Sequence, residues 1–350
     1  QLGLGAERGE FYAPPTTHLI ATVEDLTDML DYASEGIDGM DDESIPALGN
    51  KTPRQFACMP ALNYMREKGN VSFQSTIPPG NEPATDVAVL NILGYDVPSG
   101  FSSRSWLEAL GAGIEVGDNA LCLRCNLITH SSGILTSHCG DGITAGQCSE
   151  ITELLNAHFG GDRLKFHGSG TFRNLLTVQG AKAHVNAVQP HTLMGESVSK
   201  LLVSSDDSDL AAILNRCIVE SRALLSSYPA NGIALWAPGH STKISHKICG
   251  ALITGVNVMR GIGRATGLSV VDVAGATADE HTDYSAKLRA ALDAFNEHDF
   301  VLLHIEAPDE VSHKRDSLLK VMVLEEIDRK ILAPLLKANI NLVINNQSYH

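Results

Sequence analysis

The stretch FVLLHIEAPDEVSH (residues 300–313) decides the fold class of this chain. Its first part, Phe300–Ile305, is a short apolar run typical of a strand buried in a parallel sheet. The second part carries acidic and imidazole groups directly after that strand. In open α/β sheets, ligands bind beyond the carboxyl ends of the strands. The stretch therefore predicts a parallel sheet with a ligand site at this edge.

Strand and helix patterns alternate on both sides of this stretch. Before it come a predicted strand at Ser269–Val273 and a predicted helix at Tyr284–Glu297. After it come a long predicted helix at Ser317–Lys337 and a predicted strand at Asn341–Ile344. Such alternation is typical of a doubly wound α/β sheet with helices on both faces.

The alternation breaks in the middle of the chain, where short extended pieces contain many Gly and Ser residues. This change predicts a smaller α+β domain inserted into the first. The predicted boundaries are residues 31–99 with 232–350 for the sheet domain, and 100–231 for the insert. Residues 1–30 contain two adjacent prolines and are predicted to be an irregular N-terminal extension.

Composition excludes several classes of protein. The chain has 350 residues, of which 43% are hydrophobic and 19% charged, so it can build a packed core. The 26 Lys and Arg residues against 41 Asp and Glu residues give a net charge of -15. This charge predicts no nucleic-acid partner. No apolar run approaches the ~18 residues of a membrane-spanning helix.

The seven cysteines are scattered and odd in number. This pattern favours free thiols in a reducing, intracellular compartment over a disulfide framework. Cys122 and Cys125 have the spacing of metal ligands, but no second Cys or His pair completes a zinc ribbon. We therefore interpret both as ordinary strand cysteines.

Asp309 and His313 are four residues apart, so one helical turn can direct both side chains at one point. A carboxylate with an imidazole suits Mn²⁺, Zn²⁺ or Mg²⁺. The alternative is a helix N-terminus whose acidic residues interact favourably with the helix dipole. The pattern alone leaves both open.

Asp38 and Thr85 are further candidates. Asp38 lies in EGIDGMDD (residues 35–42), where it is either a metal ligand at the end of a strand or part of a turn. Thr85 opens a predicted helix, either as its N-cap or as a nucleophile stabilised by the helix N-terminus and nearby metals.

Arg104, Arg124 and Arg173 lie in the middle region, each beside Gly, Ser or a predicted strand. Arginine holds phosphate and carboxylate groups through bidentate hydrogen bonds. Each of them is a surface residue unless the fold brings them together.

The glycines of GIGRATG (residues 261–267) invite a dinucleotide-binding interpretation, which we reject. The preceding segment, Ala251–Arg260, is predicted to be helical, and the next acidic residue, Asp272, is too near to bind a ribose. The end of a helix explains these glycines better.

Several stretches, taken in order, resemble the archaeal-type, cofactor-independent phosphoglycerate mutases, a family of the alkaline phosphatase superfamily. The resemblance runs from about Asp31 to about Gln347. The stretches that carry it are IDGMDD (37–42), ALGNKTP (47–53), TDVAVLNILGYD (85–96), RCNLIT (124–129), PANGIALW (229–236) and HIEAPDEVSH (304–313).

The resemblance implies an alkaline-phosphatase-like fold with an inserted substrate domain. The implied activity interconverts 3-phosphoglycerate and 2-phosphoglycerate through a metal-activated hydroxyl, with Thr85 in place of the family's serine. The implied site consists of the metal-binding residues Asp38, Thr85, Asp309 and His313 and the substrate-binding residues Arg104, Arg124, Arg173 and Lys287.

The end of the chain departs from the family pattern. Where the family carries Asp-His as metal ligands, this chain has Asn346 and Gln347, neutral amides that offer neither the charge nor the imidazole. A further ligand histidine of the family would lie past His350, so the C-terminus looks incomplete.

Three functions follow from these observations. We predict a degraded two-metal site with weak or no catalysis, in a chain retained as a structural or interaction subunit that meets a protein partner through residues 1–32. The alternative is an active mutase that forms a phospho-threonine intermediate. A metal-dependent phosphatase or phosphonate hydrolase of the same superfamily is the third hypothesis.

Overall fold

The computed structural model describes residues 18–24, 44–69, 76–81, 84–99, 101, 103–242, 244, 247–338 and 341–347. For residues 18–24, 313 and 341–347 only the backbone is described. The strands, in chain order, are β1 (His18–Glu24), β2 (Leu121–Ser131), β3 (Ile134–Ser137), β4 (Leu164–His167), β5 (Arg173–Val178), β6 (Val185–Asn186), β7 (Ser204–Ser205), β8 (Gly232–His240), β9 (Ala251–Ile253), β10 (Ser269–Val271), β11 (Phe300–Ile305) and β12 (Asn341–Gln347).

The helices, in chain order, are α1 (Pro53–Phe56), α2 (Pro60–Lys68), α3 (Thr85–Ile92), α4 (Arg104–Gly111), α5 (Ala145–Phe159), α6 (Ser208–Leu224), α7 (Asn257–Thr266), α8 (Tyr284–Ala294), α9 (Ala307–His313), α10 (Ser317–Ile327) and α11 (Ala333–Leu335). A π-helical turn, Asp328–Leu332, joins the last two. Across the described residues, no helix has the length and apolar character that crossing a membrane requires.

The chain divides into two compact units. Unit 1 comprises Gln1–Phe73, Ile248–Gly255 and Gly267–His350, and unit 2 comprises Gln74–Lys247 and Val256–Thr266.

Unit 1 is built on a five-stranded parallel sheet in the order β10-β9-β11-β1-β12. Strand β11, which the sequence predicts, lies at its centre, and Leu302 pairs with Leu252 of β9 and with Ile20 of β1. The side chains of Val301, Leu302 and Leu303 are completely buried, as expected for a strand covered on both faces. The predicted α/β class is therefore confirmed.

Two local predictions were wrong in this sheet. Residues 18–24, assigned to an irregular extension, form the strand between β11 and β12. Residues 251–253, assigned to a helix, form β9, and α7 begins only at Asn257. Both strands are short and pair with strands that are distant in sequence. The local hydrophobic pattern therefore indicates them only weakly.

The observed units also differ from the predicted domain boundaries. Unit 2 begins before α3 and includes β8, because β8 pairs antiparallel with β2 from Leu121 to Ile128. It also includes α7, which packs against α4. Thr85 therefore lies in unit 2, whereas Asp309 lies in unit 1.

Unit 2 contains an antiparallel sheet in the order β3-β2-β5-β4, with β8 also paired to β2. Leu121, Leu123, Cys125 and Leu127 of β2 belong to a core cluster that helices α5 and α6 complete. Since side chains alternate along a strand, Arg124 lies on the opposite face of the sheet.

The same alternation settles the interpretation of the two closely spaced cysteines. Cys122 and Cys125 are three residues apart on β2, so their thiols point to opposite faces and cannot share a metal ion. Burial raises the pKa of the Cys122 thiol to about 12. All seven cysteines are free, as the sequence predicts.

Glycines bring α4 and α7 unusually close. A Cβ atom at Gly261 would lie 1.8 Å from the carbonyl oxygen of Leu107, and one at Gly111 would lie 1.8 Å from that of Asn257. The helix ends before Gly267, which has a φ of +90°. These glycines therefore serve helix packing and termination.

Candidate functional site

Arg104, Glu108 and Arg124 form a polar cluster on the face of the unit 2 sheet opposite the core. Glu108 Oε2 accepts a hydrogen bond of 2.8 Å from Arg124 Nε, and Glu108 Oε1 accepts one from Arg124 Nη2. Glu108 Oε1 also accepts a 3.3 Å hydrogen bond from Arg104 Nε, one helical turn earlier on α4. The fold therefore joins two of the three arginines that the sequence singles out.

The cluster lies largely out of water: the side chains of Glu108 and Arg124 are 12% and 17% exposed. Burial would raise the pKa of Glu108, but the two arginines outweigh it and lower that pKa. Burial lowers the pKa of Arg124, against the opposing effect of Glu108. The carboxylate and the guanidinium therefore hold each other in their charged forms.

Trp236 and its neighbours form a wall beside Arg124. The Arg124 guanidinium carbon lies 4.8 Å from the centre of the Trp236 ring, which is a cation–π distance. Trp236 Nε1 donates a 3.0 Å hydrogen bond to Asn126 Oδ1, which fixes the ring. The His191 ring meets Trp236 edge-on at 6.4 Å, and the His138 ring lies 6.1 Å from His191.

Arg173 joins the same face of the sheet. It pairs with Asn126 across β5 and β2, and its positive charge contributes to the lowered pKa of Arg124. Its guanidinium carbon lies 5.1 Å from the centre of the Phe172 ring, and the residue is exposed. All three predicted arginines are therefore on one surface of unit 2, with Arg173 at its accessible side.

Thr85 and Asp86 begin α3 in the same unit. The N-cap of this helix is Ala84, so the interpretation of Thr85 as an N-cap was wrong; Thr85 is the first helical residue and is buried. Asp86 is also buried, and its Oδ1 has no hydrogen-bond partner among the described residues. Burial raises the pKa of Asp86, and nearby Arg104 partly offsets this effect.

Lys287 occupies the interior of unit 1, beyond the carboxyl end of β11. Its Nζ donates hydrogen bonds to the carbonyl oxygens of Thr277, at 3.1 Å, and of His304, at 3.3 Å. Burial lowers its pKa to about 8, with Glu306 and Asp279 opposing the shift. The side chain of Lys287 is completely buried, and its predicted role in substrate binding stays a prediction.

His304 lies next to this ammonium group. Its Nδ1 is 3.1 Å from Thr254 Oγ1, and its Nε2 is 3.7 Å from Glu306 Oε2. Burial lowers the pKa of His304 to about 4, although Glu306 acts in the opposite direction. The imidazole is therefore neutral at physiological pH, and this end of the sheet carries a buried, polar network.

Asp309 lies in the first turn of α9, after β11, and His313 is the last residue of the same helix. Asp38 lies outside the described residues, and so do the side chains of His313, Asn346 and Gln347, although Asn346 and Gln347 end β12 in the backbone. Among the side chains that are described, no three His, Cys, Asp or Glu residues gather as a metal site. The predicted convergence of the metal ligands stays a prediction.

Sequence reasoning missed Glu108 and Trp236. Glu108 follows Arg104 by four residues, a spacing that also suits an ordinary surface ion pair on a helix. Trp236 was noted only as part of a matching stretch. Neither residue shows its contact with Arg124 until β2, β8 and α4 are placed together.

Comparison with known proteins gives the family. A model of the 2,3-bisphosphoglycerate-independent phosphoglycerate mutases matches residues 67–231. The mutase 2 of Methanothermobacter thermautotrophicus is 35% identical over 319 residues, which cover 86% of this chain and 78% of that protein. The mutase of Methanothrix thermoacetophila is 34% identical, covering 85% of this chain and 79% of that protein. This chain belongs to that family.

Solved structures agree on the fold. The PH0037 protein of Pyrococcus horikoshii superimposes with a TM-score of 0.70 at 21% identity, covering 95% of this chain and 81% of that one. The cofactor-independent phosphoglycerate mutase of Thermoplasma acidophilum gives a TM-score of 0.55 at 22% identity, with 95% and 86% coverage. The mixed α/β fold that these proteins share with this chain is therefore confirmed.

Proposed function

We propose that this protein binds phosphoglycerate through Arg104, Arg124 and Arg173, and that it interconverts the 3- and 2-phospho isomers at a strongly reduced rate. The single observation that supports binding is the ordered guanidinium of Arg124. Glu108 holds one of its edges and Trp236 covers one of its faces. A pre-oriented guanidinium recognises planar carboxylates and phosphates bidentately.

The charge of the whole chain makes this local arrangement informative. With a net charge of -15, the protein repels anions at long range. Three arginines on one face of unit 2 create a local positive region against that field. Phosphoglycerate carries a carboxylate at one end and a phosphate at the other, so it can engage more than one of them.

The nucleophile would be Thr85. The buried first turn of α3 is suited to a phosphoryl group, because backbone N–H groups at a helix N-terminus favour anions. Thr85 Oγ1 would bond to phosphorus while the ester oxygen of the substrate leaves, and the reverse step would return the phosphoryl group to the other hydroxyl. The hydroxyl must lose its proton in the first step.

The metal-binding residues support only part of this chemistry. Asp309 and His313 supply a carboxylate and an imidazole, a set that fits Mn²⁺, Zn²⁺ or Mg²⁺. Such an ion, when bound, would offset negative charge on phosphoryl oxygens and lower the pKa of a hydroxyl that coordinates it. At the second implied position, Asn346 and Gln347 bring no charge beside that of Asp38, so these residues do not fit a tightly held divalent ion.

A chain with slow turnover could serve mainly by its surface, in the reducing compartment that its free thiols favour. Part of the predicted partner surface is excluded, however. Residues 18–24 are paired on both sides within the sheet of unit 1, so they offer no free backbone edge to a partner. Any docking through residues 1–32 would use the rest of that segment.

The proposal is tested by titrating the protein with 3-phosphoglycerate in a calorimeter, alongside a coupled assay of mutase turnover. We expect measurable binding by the unaltered protein. Arg124→Gln should weaken it by about 10- to 100-fold, the cost of losing a charged bidentate contact. Arg216→Gln, which removes an exposed arginine of α6, is the matched control and should leave it unchanged.

Failure of the unaltered protein to bind 3-phosphoglycerate would overturn the binding half of the proposal. Turnover at the rate of an efficient enzyme, with kcat in the range of about 10 s⁻¹ or above, would overturn the catalytic half and establish the active-mutase alternative.

A further inference from the structure

We infer that Glu108 is a positioning residue, which holds the guanidinium groups of Arg104 and Arg124 at the orientation and spacing that phosphoglycerate requires. This inference rests on the proposed function, because it assigns the arginines to that substrate. Because phosphoglycerate is an anion, the acidic side chain of Glu108 is not expected to bind it directly. Its role is instead to hold the two arginines in place.

The hydrogen bonds show what Glu108 controls. Its two carboxylate oxygens bind the Nε and Nη2 edge of Arg124, and one of them also binds Arg104 Nε. Arg124 Nη1 donates no hydrogen bond to any residue that the structure describes. The contact therefore occupies one edge of the guanidinium and leaves another for an anion.

Trp236 completes this restraint. The ring lies under the guanidinium at 4.8 Å and is itself fixed by Asn126. A planar cation held at one edge and on one face has little rotational freedom left. A ligand then binds without the entropic cost of ordering the arginine, which is how pre-organisation increases affinity.

Charge gives a second reason for a carboxylate at this position. Arg104 and Arg124 repel each other, and the repulsion is weakly screened because the cluster is mostly buried. Glu108 lies between them and offsets the repulsion. With a neutral side chain in its place, the two guanidinium groups are expected to move apart.

Contacts other than this carboxylate also hold α4 in place. Gly111 and Gly261 let α4 pack tightly on α7, and Ser103 Oγ donates a 3.2 Å hydrogen bond to the carbonyl oxygen of His240. A change at Glu108 should therefore disturb the arginines more than the fold.

The test compares two ligands, 3-phosphoglycerate and inorganic phosphate, by calorimetric titration. The first presents two anionic groups and needs both arginines in place, whereas the second can bind at one of them. In Glu108→Gln, we expect the Kd for 3-phosphoglycerate to rise at least ~10-fold, the loss of one charge-assisted contact, while the Kd for phosphate changes less than about 3-fold.

Two further variants make the test specific. Glu108→Asp keeps the charge but shortens the side chain by one methylene, so its ratio of the two Kd values should fall between those of the unaltered protein and Glu108→Gln. Glu196→Gln removes an exposed glutamate that pairs with Lys200 and should leave both Kd values unchanged. Circular dichroism and thermal melting check the fold of each variant.

The outcomes separate the two claims. If the unaltered protein fails to bind 3-phosphoglycerate, the proposed function falls, and this inference falls with it. If the unaltered protein binds and Glu108→Gln keeps the same ratio, or loses both ligands equally, the positioning role alone is overturned. Should Glu108→Gln fail to fold, Glu108→Asp decides: a ratio equal to that of the unaltered protein contradicts the inference.

Discussion

Lys287 should make the stability of the protein increase with pH in the alkaline range. Its pKa is lowered to about 8 in the folded state by burial, whereas an unfolded lysine titrates near 10.4. Between these values the unfolded chain binds more protons, so the free energy of unfolding rises with pH. Relative to that of Lys287→Met, the free energy of unfolding of the unaltered protein should increase by about 2–3 kcal/mol between pH 7.5 and 10.5.

Urea unfolding of both proteins at several pH values measures this gain. Lys182→Met, at an exposed lysine, is the control. A difference between the unaltered protein and Lys287→Met that stays constant over this range would show that the Lys287 ammonium is not buried as described.

Individual residues were predictable from sequence to different degrees. The arginines could be named because arginine beside a strand is a plausible anion ligand, but their grouping depends on β2, β5 and α4 together. Lys287 was named from resemblance alone, and its burial depends on contacts with carbonyl groups of Thr277 and His304. Every residue type has a backbone carbonyl group, so a sequence does not show which of them a lysine side chain will contact.

The crossing of α4 and α7 should tolerate no side chain at Gly261. The Cβ of Gly261→Ala would overlap the carbonyl oxygen of Leu107, so α4 must move. We expect a loss of about 1–3 kcal/mol in the free energy of unfolding, as in overpacked cores, with weaker 3-phosphoglycerate binding because α4 carries Arg104 and Glu108.

Thermal melting and calorimetric titration measure both effects. Gly146→Ala in α5 is the control, because a Cβ there has no atom within 4 Å. Unchanged stability and unchanged binding in Gly261→Ala would contradict the described packing.

Strand β1 should tolerate no proline. Ala21 pairs with Leu303 of β11 and with Ile344 of β12, so its backbone lies between two strands. Ala21→Pro removes a ladder donor and should destabilise the protein by about 3 kcal/mol or more. Ala21→Gly keeps the N–H group and should cost only about 1 kcal/mol. Equal melting temperatures for the two variants would contradict a central position for β1.

The contrast between β11 and β1 shows which elements a sequence reveals. β11 begins with four consecutive apolar residues and is followed by a helix start, so its pattern is visible locally. β1 contains His18, Thr22 and Glu24 and follows two prolines, so it resembles a loop. Only pairing with two strands distant in sequence makes it a strand: His18 pairs with Phe300 of β11 and with Asn341 of β12.

The protein as a whole should bind metal poorly. Asn346 and Gln347 offer no charge to a second divalent ion, so equilibration with excess Mn²⁺ followed by gel filtration should leave fewer than two ions per chain. Elemental analysis measures this number. Two retained ions per chain would show that neutral amides suffice, and the double variant Asn346→Asp, Gln347→His should retain more metal than its parent.

The resemblance spans nearly the whole chain, and this breadth is enough to predict the family from the sequence alone. The division into units could not be predicted in the same way. Helix α7 lies between β9 and β10 in sequence, yet it belongs to unit 2 because Gly261 packs on α4. A contact of this kind depends on surface shape, which strand and helix periodicity does not encode.

We propose that phosphoglycerate binding persists while the two amides at the end of β12 limit turnover. The most direct test is the mutase rate of the unaltered protein and of the double variant Asn346→Asp, Gln347→His, both with excess Mn²⁺ and saturating 3-phosphoglycerate. We expect the double variant to be faster by on the order of 10²-fold or more, since one charge-stabilising group alone has an effect of that size, with an unchanged Kd for 3-phosphoglycerate. An unaltered protein that turns over as fast as the double variant would contradict it.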